Sequence, residues 1–111
     1  MRFKDSTIIL SMTPAIVAIL QAAEAAYAAI RVPCWVTSGN DGRHMNGSFH
    51  YRDRAVDFRT GHHWQNPLLT QAEAEEVAAA MRQRLGQDYD VVLESDHLHV
   101  EFDVRRESDA V

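Results

Sequence analysis

The sequence predicts a small α+β domain: an antiparallel sheet with helices packed on one of its faces. Three observations carry that prediction. Two segments repeat apolar residues every three to four positions behind helix-starting residues. Several short segments are rich in β-branched and aromatic residues, or alternate apolar with polar side chains. Turn-forming residues separate them at short intervals, and 111 residues suit one domain with a single modest core. One domain over 1–111 is expected, with its core between about residues 13 and 104.

Residues 1–12 are polar apart from Ile8, Ile9 and Leu10 and read as an extended arm. Thr13-Pro14 starts the first helix, with Thr as N-cap and Pro where a missing N–H costs nothing. Ile16, Val17, Leu20, Ala23, Tyr27 and Ile30 then form its apolar stripe, which stops before Pro33. Cys34–Thr37 reads as a strand in which Cys34 is a buried small hydrophobe. The Gly- and Asn-containing stretch Ser38–Ser48 is a loop carrying Arg43 and His44.

Ala55–Arg59 is the next strand, with Asp57 sharing a face with Ala55 and Arg59 while Val56 and Phe58 point the other way. Tyr51–Arg54 has to bend if His50 and Asp57 are to serve one site. Thr60–Pro67 is polar, and its His62, His63 and Trp64 either rim a groove or face solvent. Thr70-Gln-Ala-Glu73 is a capping box opening a helix that sets Val77, Met81 and Leu85 on one face and ends near Gly86. Its Glu73, Glu75 and Glu76 read as solvated charges favoured by the helix dipole. Tyr89–Leu93 and Leu98–Val104 are strands. The latter sets Leu98 and Val100, with Phe102 or Val104, against His97, His99, Glu101 and Asp103. A tight hairpin at Asp96 then brings Glu94 near His99. The tail from Arg105 is polar and expected to fray.

Composition excludes several classes. A hydrophobic content of 46% with 24% charged residues is that of a folded domain. A net charge of −5 without a Lys/Arg cluster argues against nucleic-acid binding. The single Cys34 excludes an internal disulfide and fits a reducing compartment. No membrane span is expected, because the apolar run Ala15–Ile30 is broken by Gln21 and Glu24 and is shorter than ~20 residues. Lys4 and Asp5, followed by only a short apolar patch, do not read as a secretory signal.

Histidine is the compositional outlier: all six lie between positions 44 and 99. They include the spacings His50-x6-Asp57 and Glu94-x2-His97-x-His99. Two histidines and an aspartate are three N/O ligands, the usual protein share of a catalytic zinc site that keeps one position for water. Such a site leaves Zn²⁺ with a net charge of about +1, enough to polarise a carbonyl and bring bound water to a pKa of about 7. A nearby glutamate can shuttle the proton to a leaving amine, and an imidazolium or arginine can stabilise the tetrahedral intermediate.

The motifs Val36-Thr-Ser-Gly39, Ser48-Phe-His-Tyr51, Arg54-Ala-Val-Asp57 and Glu94-Ser-Asp-His-Leu-His99 resemble the active-site pattern of the D-Ala-D-Ala carboxypeptidase-like zinc peptidases. That group includes peptidoglycan carboxypeptidases, phage endolysin domains and vancomycin-resistance dipeptidases, and it shares its fold with the hedgehog signalling domain. The resemblance covers roughly residues 32–103. It implies a hedgehog/DD-peptidase-like sheet with helices on one face and a zinc site on the other. It further implies zinc ligation by His50, Asp57 and His99, Glu94 as catalytic base and His97 at the oxyanion, with His44 or Arg43 assisting. Ser48 falls where carboxypeptidase members place a serine near the substrate. Asp53 stands where the family usually has Gly.

The expected function is therefore a one-zinc metallopeptidase that cleaves peptidoglycan stem peptides, as a carboxypeptidase or an endopeptidase. A carboxypeptidase needs a cation for the terminal carboxylate, and Arg43, Arg52, Arg54 and Arg59 are the candidates. The alternative is a non-catalytic zinc-binding or interaction module on the same fold. A third class is a structural domain whose histidines are incidental. With neither a secretory signal nor a wall-binding domain expected, a peptidase of this kind would be made in the cytoplasm. It would reach the wall by phage-type release or virion delivery.

Overall fold

A computed structural model of the chain describes residues 1–6, 8, 10–39, 54–61 and 69–103. Its elements in order are β1 (Arg2–Phe3), α1 (Pro14–Ala29), β2 (Trp35–Ser38), β3 (Ala55–Arg59), α2 (Gln71–Leu85), β4 (Tyr89–Leu93) and β5 (His97–Phe102). Both helices start where their caps predict. The Thr13 hydroxyl accepts from the Ile16 N–H at 3.2 Å, and Pro14 occupies the first turn. At α2 the box closes in both directions: Thr70 Oγ1 accepts from the Glu73 N–H, and Glu73 accepts from the Thr70 N–H. α2 stops at Gly86, whose φ of +83° with extended ψ is a conformation essentially reserved for glycine.

The strands form one sheet in the order β1-β2-β3-β5-β4. It is mixed, and this corrects the antiparallel expectation. β2, β3, β5 and β4 pair antiparallel, but the N-terminal arm adds β1 parallel to β2. The Arg2 and Lys4 N–H groups donate to the carbonyls of Cys34 and Val36, satisfying an edge that the short arm gave no periodic signal for. The α+β class itself holds, with two helices and five strands among the described residues.

Alternation decides the two faces of the sheet. Val36, Val56, Phe58, Leu98 and Val100 are fully buried and share one core cluster with Ile16, Ile19 and Tyr27 of α1 and Val77 and Met81 of α2. Both helices therefore cover the same face. α1 is turned relative to its predicted stripe: Ile19, Ala22 and Ala26 are buried, whereas Val17 is exposed. Small residues explain the rotation. Ala22, Ala23 and Ala26 join Ala74 and Ala78 in the core, and alanines let the two helices approach closely where they touch. Cys34 is buried as expected, and loss of hydration, reinforced by the Glu24 charge, pushes its thiol up to about 12.

β5 starts one residue earlier than predicted and ends at Phe102, whose ring packs on Tyr89 with centroids 5.1 Å apart. Asp103, expected on the polar face, is buried instead, and its N–H donates to the Asp88 carbonyl beside the start of β4. Val104 and the tail lie outside the described residues. No helix among the described residues is long and apolar enough to cross a membrane.

One partly buried hydrogen bond joins the helical layer to the strand that matters most for the opposite face. The Tyr27 hydroxyl donates to the Arg59 carbonyl at 2.8 Å, and its ring packs at a tilt on Phe58. Burial, with a contribution from Cys34, pushes this phenol well above its ordinary range, so it serves as a neutral donor. Replacing Tyr27 by Phe keeps the ring but leaves the carbonyl without this donor. Urea unfolding should show a loss of about 1–3 kcal/mol with an unchanged m-value.

Candidate functional site

The face turned away from the helices is organised by the register between β3 and β5. In that ladder Asp57 stands opposite His99, Arg59 opposite His97 and Ala55 opposite Glu101. β4 continues the row, with Val92 opposite His99 and Asp90 opposite Glu101. The alternation that buries Leu98 and Val100 thus forces His97, His99 and Glu101 onto the other face, beside Asp57.

Asp57 Oδ1 is the hub. It lies 2.8 Å from His99 Nδ1 and 4.0 Å from His97 Nε2, so two imidazoles from β5 converge on one carboxylate oxygen from β3. A carboxylate can only accept, so His99 Nδ1 is the protonated, donating atom. The far side of that ring faces a second carboxylate, with Glu101 Oε1 3.6 Å from Nε2. His97 is oriented by its sequence neighbour, with Nδ1 2.7 Å from Asp96 Oδ1, which leaves Nε2 facing Asp57. These groups are largely shielded: the side chains of Asp57, Glu101 and His99 are 14%, 15% and 22% exposed, and His97 is 34% exposed.

Glu94 lies at the β4–β5 turn. Its N–H donates to the His97 carbonyl at 2.8 Å, closing the predicted hairpin, and its charge acts on His99. Gly61, two residues past β3, holds this turn from below. A Cβ there would stand 3.0 Å from the Ser95 carbonyl oxygen and 3.2 Å from Asp96 Cα. The absent side chain lets the end of the Asp57 strand lie against the turn that carries Glu94 and His97.

Trp35 and Arg59 extend the same face toward β1. The Arg59 guanidinium lies over the Trp35 ring at 5.1 Å and that of Arg2 at 5.5 Å. Cation–π stacking holds a guanidinium flat while leaving its edge donors available. Among the described residues no carboxylate pairs with Arg59. Arg54 uses its carbonyl to accept from the Phe102 N–H. A hollow lined by Arg82, Tyr89 and Val91 follows the outer edge of β4, where Arg82 also donates to the Val91 carbonyl. It is separated from Asp57 by β5.

The structure brings together Asp57, His97 and His99, with Glu94 in electrostatic reach. Arg43, His44, Ser48, His50, Arg52, Asp53, His62 and His63 lie outside the described residues. No group of three His, Cys, Asp or Glu side chains that could hold a metal forms among the described residues. The two expected ligands within them do suit zinc. One imidazole nitrogen and one carboxylate oxygen are its ordinary donors, and ligands at 2.0–2.1 Å in a tetrahedron stand ~3.3 Å apart. The observed 2.8 Å is a proton-bridged version of that pair, which need open only by about half an ångström. Compared with protein-family models, curated proteins and solved structures, the chain has no significant match.

Three contributors were not singled out from the sequence: Asp96 as partner of His97, Glu101 as partner of His99, and Trp35 as platform for Arg59. The alternation of β5 had already placed Glu101 on the histidine face. Nothing local, by contrast, pairs Trp35 with a residue 24 positions later.

His99 sets a pH dependence. Burial alone would lower its pKa, but the Asp57 hydrogen bond and the charges of Asp57, Glu101 and Glu94 outweigh it and raise the pKa above 6.5. A group raised in the folded state stabilises fully below its unfolded pKa and loses that contribution as pH rises through the folded value. Metal-free protein should therefore melt at lower temperature as pH climbs from about 6 through neutrality, and His99→Gln should flatten the trend. Melts in a strong chelator measure both.

Proposed function

We propose that this domain is a zinc-dependent peptidase of peptidoglycan stem peptides, built on a hedgehog/DD-peptidase-like fold. The observation that carries the proposal is the convergence of Asp57 and His99 across the two central strands, with His97 aimed at the same oxygen. A His/Asp pair on a sheet face opposite both helices, shielded and flanked by a second histidine and a glutamate, is the arrangement that the motif resemblance implies.

Asp57 and His99 would hold the metal, and His50, outside the described residues, is the third expected ligand. When bound, zinc supplies Lewis acidity to the scissile carbonyl and acidifies water. Glu94, exposed at the turn, receives the proton of the attacking water and passes it to the leaving amine. His97, oriented by Asp96, presents Nε2 toward the centre and in its doubly protonated form would donate to the developing oxyanion. The flanks of the ligand pair hold the substrate. Ser48, Arg43 and His44 remain assigned by resemblance alone.

Zinc uptake and cleavage of purified peptidoglycan, with products identified by mass, test the proposal. Wild-type protein should bind one zinc per chain, and His99→Ala should lose most of it. Glu94→Gln should keep the zinc and the fold but lose on the order of 10²–10⁴-fold in rate. Wild-type protein that carries zinc yet cleaves no stem-peptide bond would transfer the domain to the non-catalytic zinc-binding class.

Arg59 supports the carboxypeptidase form of the activity. It follows Asp57 by two residues on the same face, about 7 Å along the strand, and is steadied by Trp35. Arg59→Gln should raise KM at least tenfold for a stem peptide ending in a free carboxylate and leave its C-terminal amide nearly unaffected, since a charge-assisted hydrogen bond contributes roughly 1.5–3 kcal/mol. Equal KM changes for both substrates would remove Arg59 from carboxylate recognition.

A further inference from the structure

We infer that the outer edge of β4 is an interaction surface for a second copy of this chain, held shut in the monomer by the Arg82 guanidinium. The surface lies at the end of the sheet away from β1 and is independent of the metal reading above.

The ladder between β4 and β5 shows which backbone groups face outward. Its register pairs Tyr89 with Phe102, Val91 with Val100 and Leu93 with Leu98. Just past its two ends, the Glu94 N–H donates to the His97 carbonyl and the Asp103 N–H to the Asp88 carbonyl. Hydrogen-bonded and non-hydrogen-bonded pairs alternate in an antiparallel ladder. Asp88, Asp90, Val92 and Glu94 therefore turn their backbone groups toward β5, and Tyr89, Val91 and Leu93 turn theirs outward. The Tyr89 N–H is met by the Gly86 carbonyl. β4 is last in the sheet order, so among the described residues no further strand pairs with this edge. A hollow of about 390 Å³ runs along it instead.

The central outward carbonyl is already taken. Arg82 Nε and Nη2 both donate to the Val91 oxygen, at 3.3 and 2.9 Å. Val91 is the middle residue of β4, so the guanidinium occupies the place where an added strand would set its own N–H. Exposed edges invite pairing with another chain, and charged side chains are a common way of blocking them. Arg82 is such a block, and a side chain can swing away.

The two edges of the sheet select a second copy as the strand that fits. β1 has two residues and β4 has five, so copies joined edge to edge meet β4 to β4. Identical strands pair antiparallel about a twofold axis, which closes the assembly as a dimer. With the axis at Val91, the N–H and carbonyl of Val91 meet the same groups of the second copy, and Leu93 meets Tyr89. This register sets Asp90 opposite the exposed, apolar Val92 of the second copy, so no like charges are opposed. Opposed residues share a face, and both polar faces then lie on one side of the joined sheet.

The test is sedimentation of the whole chain over a range of concentrations, with amide hydrogen exchange at Val91 and Leu93 reading the edge itself. Arg82→Met keeps the aliphatic stem and removes the donors. Adding Leu93→Pro removes one outward N–H without touching a bond to β5. Wild type should be monomeric, with both amides exchanging fast for positions within a strand. Arg82→Met should dimerise on the order of 10²-fold more tightly, about tenfold for each of the two blocks removed, and protect both amides. The double variant should return to monomer. If Arg82→Met does not fold, Arg82→Lys, with one donor nitrogen in place of two, should show the same shift in smaller measure. A folded Arg82→Met that stays monomeric, or that dimerises with Val91 and Leu93 unprotected, would overturn the inference. A wild type already dimeric through this edge would overturn the blocking role of Arg82. Protection of these amides in monomeric protein by an added stem peptide would give the edge to a ligand strand and overturn the assignment to a second copy.

Discussion

Everything on the polar face depends on a single register, that of β3 against β5. In an antiparallel ladder the directly opposed residues share a face, so pairing Asp57 with His99 also pairs Arg59 with His97 and Ala55 with Glu101. A slip by one residue would turn Asp57 toward the helices and set Val56 or Phe58 among the histidines. The apolar face prevents that slip. Val56, Phe58, Leu98 and Val100 are all fully buried, and each would lose roughly 1.5–3 kcal/mol on exposure. The hydrophobic core thus fixes the geometry of a polar site it never touches.

Other interactions brace that register at the C-terminal end of β3. Tyr27 crosses from α1 to take the Arg59 carbonyl, and Gly61 lets the chain beyond β3 press against the turn between β4 and β5. That turn in turn carries Glu94, Asp96 and His97. The groups on β3, and those on the turn that leads into β5, are therefore tied to the helical layer.

The electrostatics of the face are asymmetric. Around His99, carboxylates accumulate: Asp57 and Glu101 in contact range and Glu94 further off. Without a metal, such a cluster retains its charge balance by keeping a proton on the imidazole. A divalent cation in place of that proton would neutralise more of the negative charge, which is the electrostatic support for the zinc reading proposed above. Toward β1 the sign reverses, with Arg2 and Arg59 stacked about Trp35. A ligand with an electrophilic carbonyl and a negative end some ångströms away would match both halves.

Much of the fold was legible because its signals are local. Thr13-Pro14 and the Thr70–Glu73 box specify helix starts through bonds within four residues, and both are formed. Alternation over Ala55–Arg59 and Leu98–Val100 specified which side chains share a face, since the pleat has period two. Asp57, Glu94, His97 and His99 were legible as candidates from their residue types and spacing, and from the resemblance of the motifs around them to a zinc-peptidase pattern. The parallel β1 was not, because two residues carry no periodicity. Nor was the rotation of α1, which an alanine-rich helix settles by how closely it can approach α2. The sequence by itself determined the elements, their caps and the composition of each strand face. Only the tertiary structure decided that Asp57 opposes His99, because hydrogen-bonded register joins residues more than forty positions apart and no local preference encodes it.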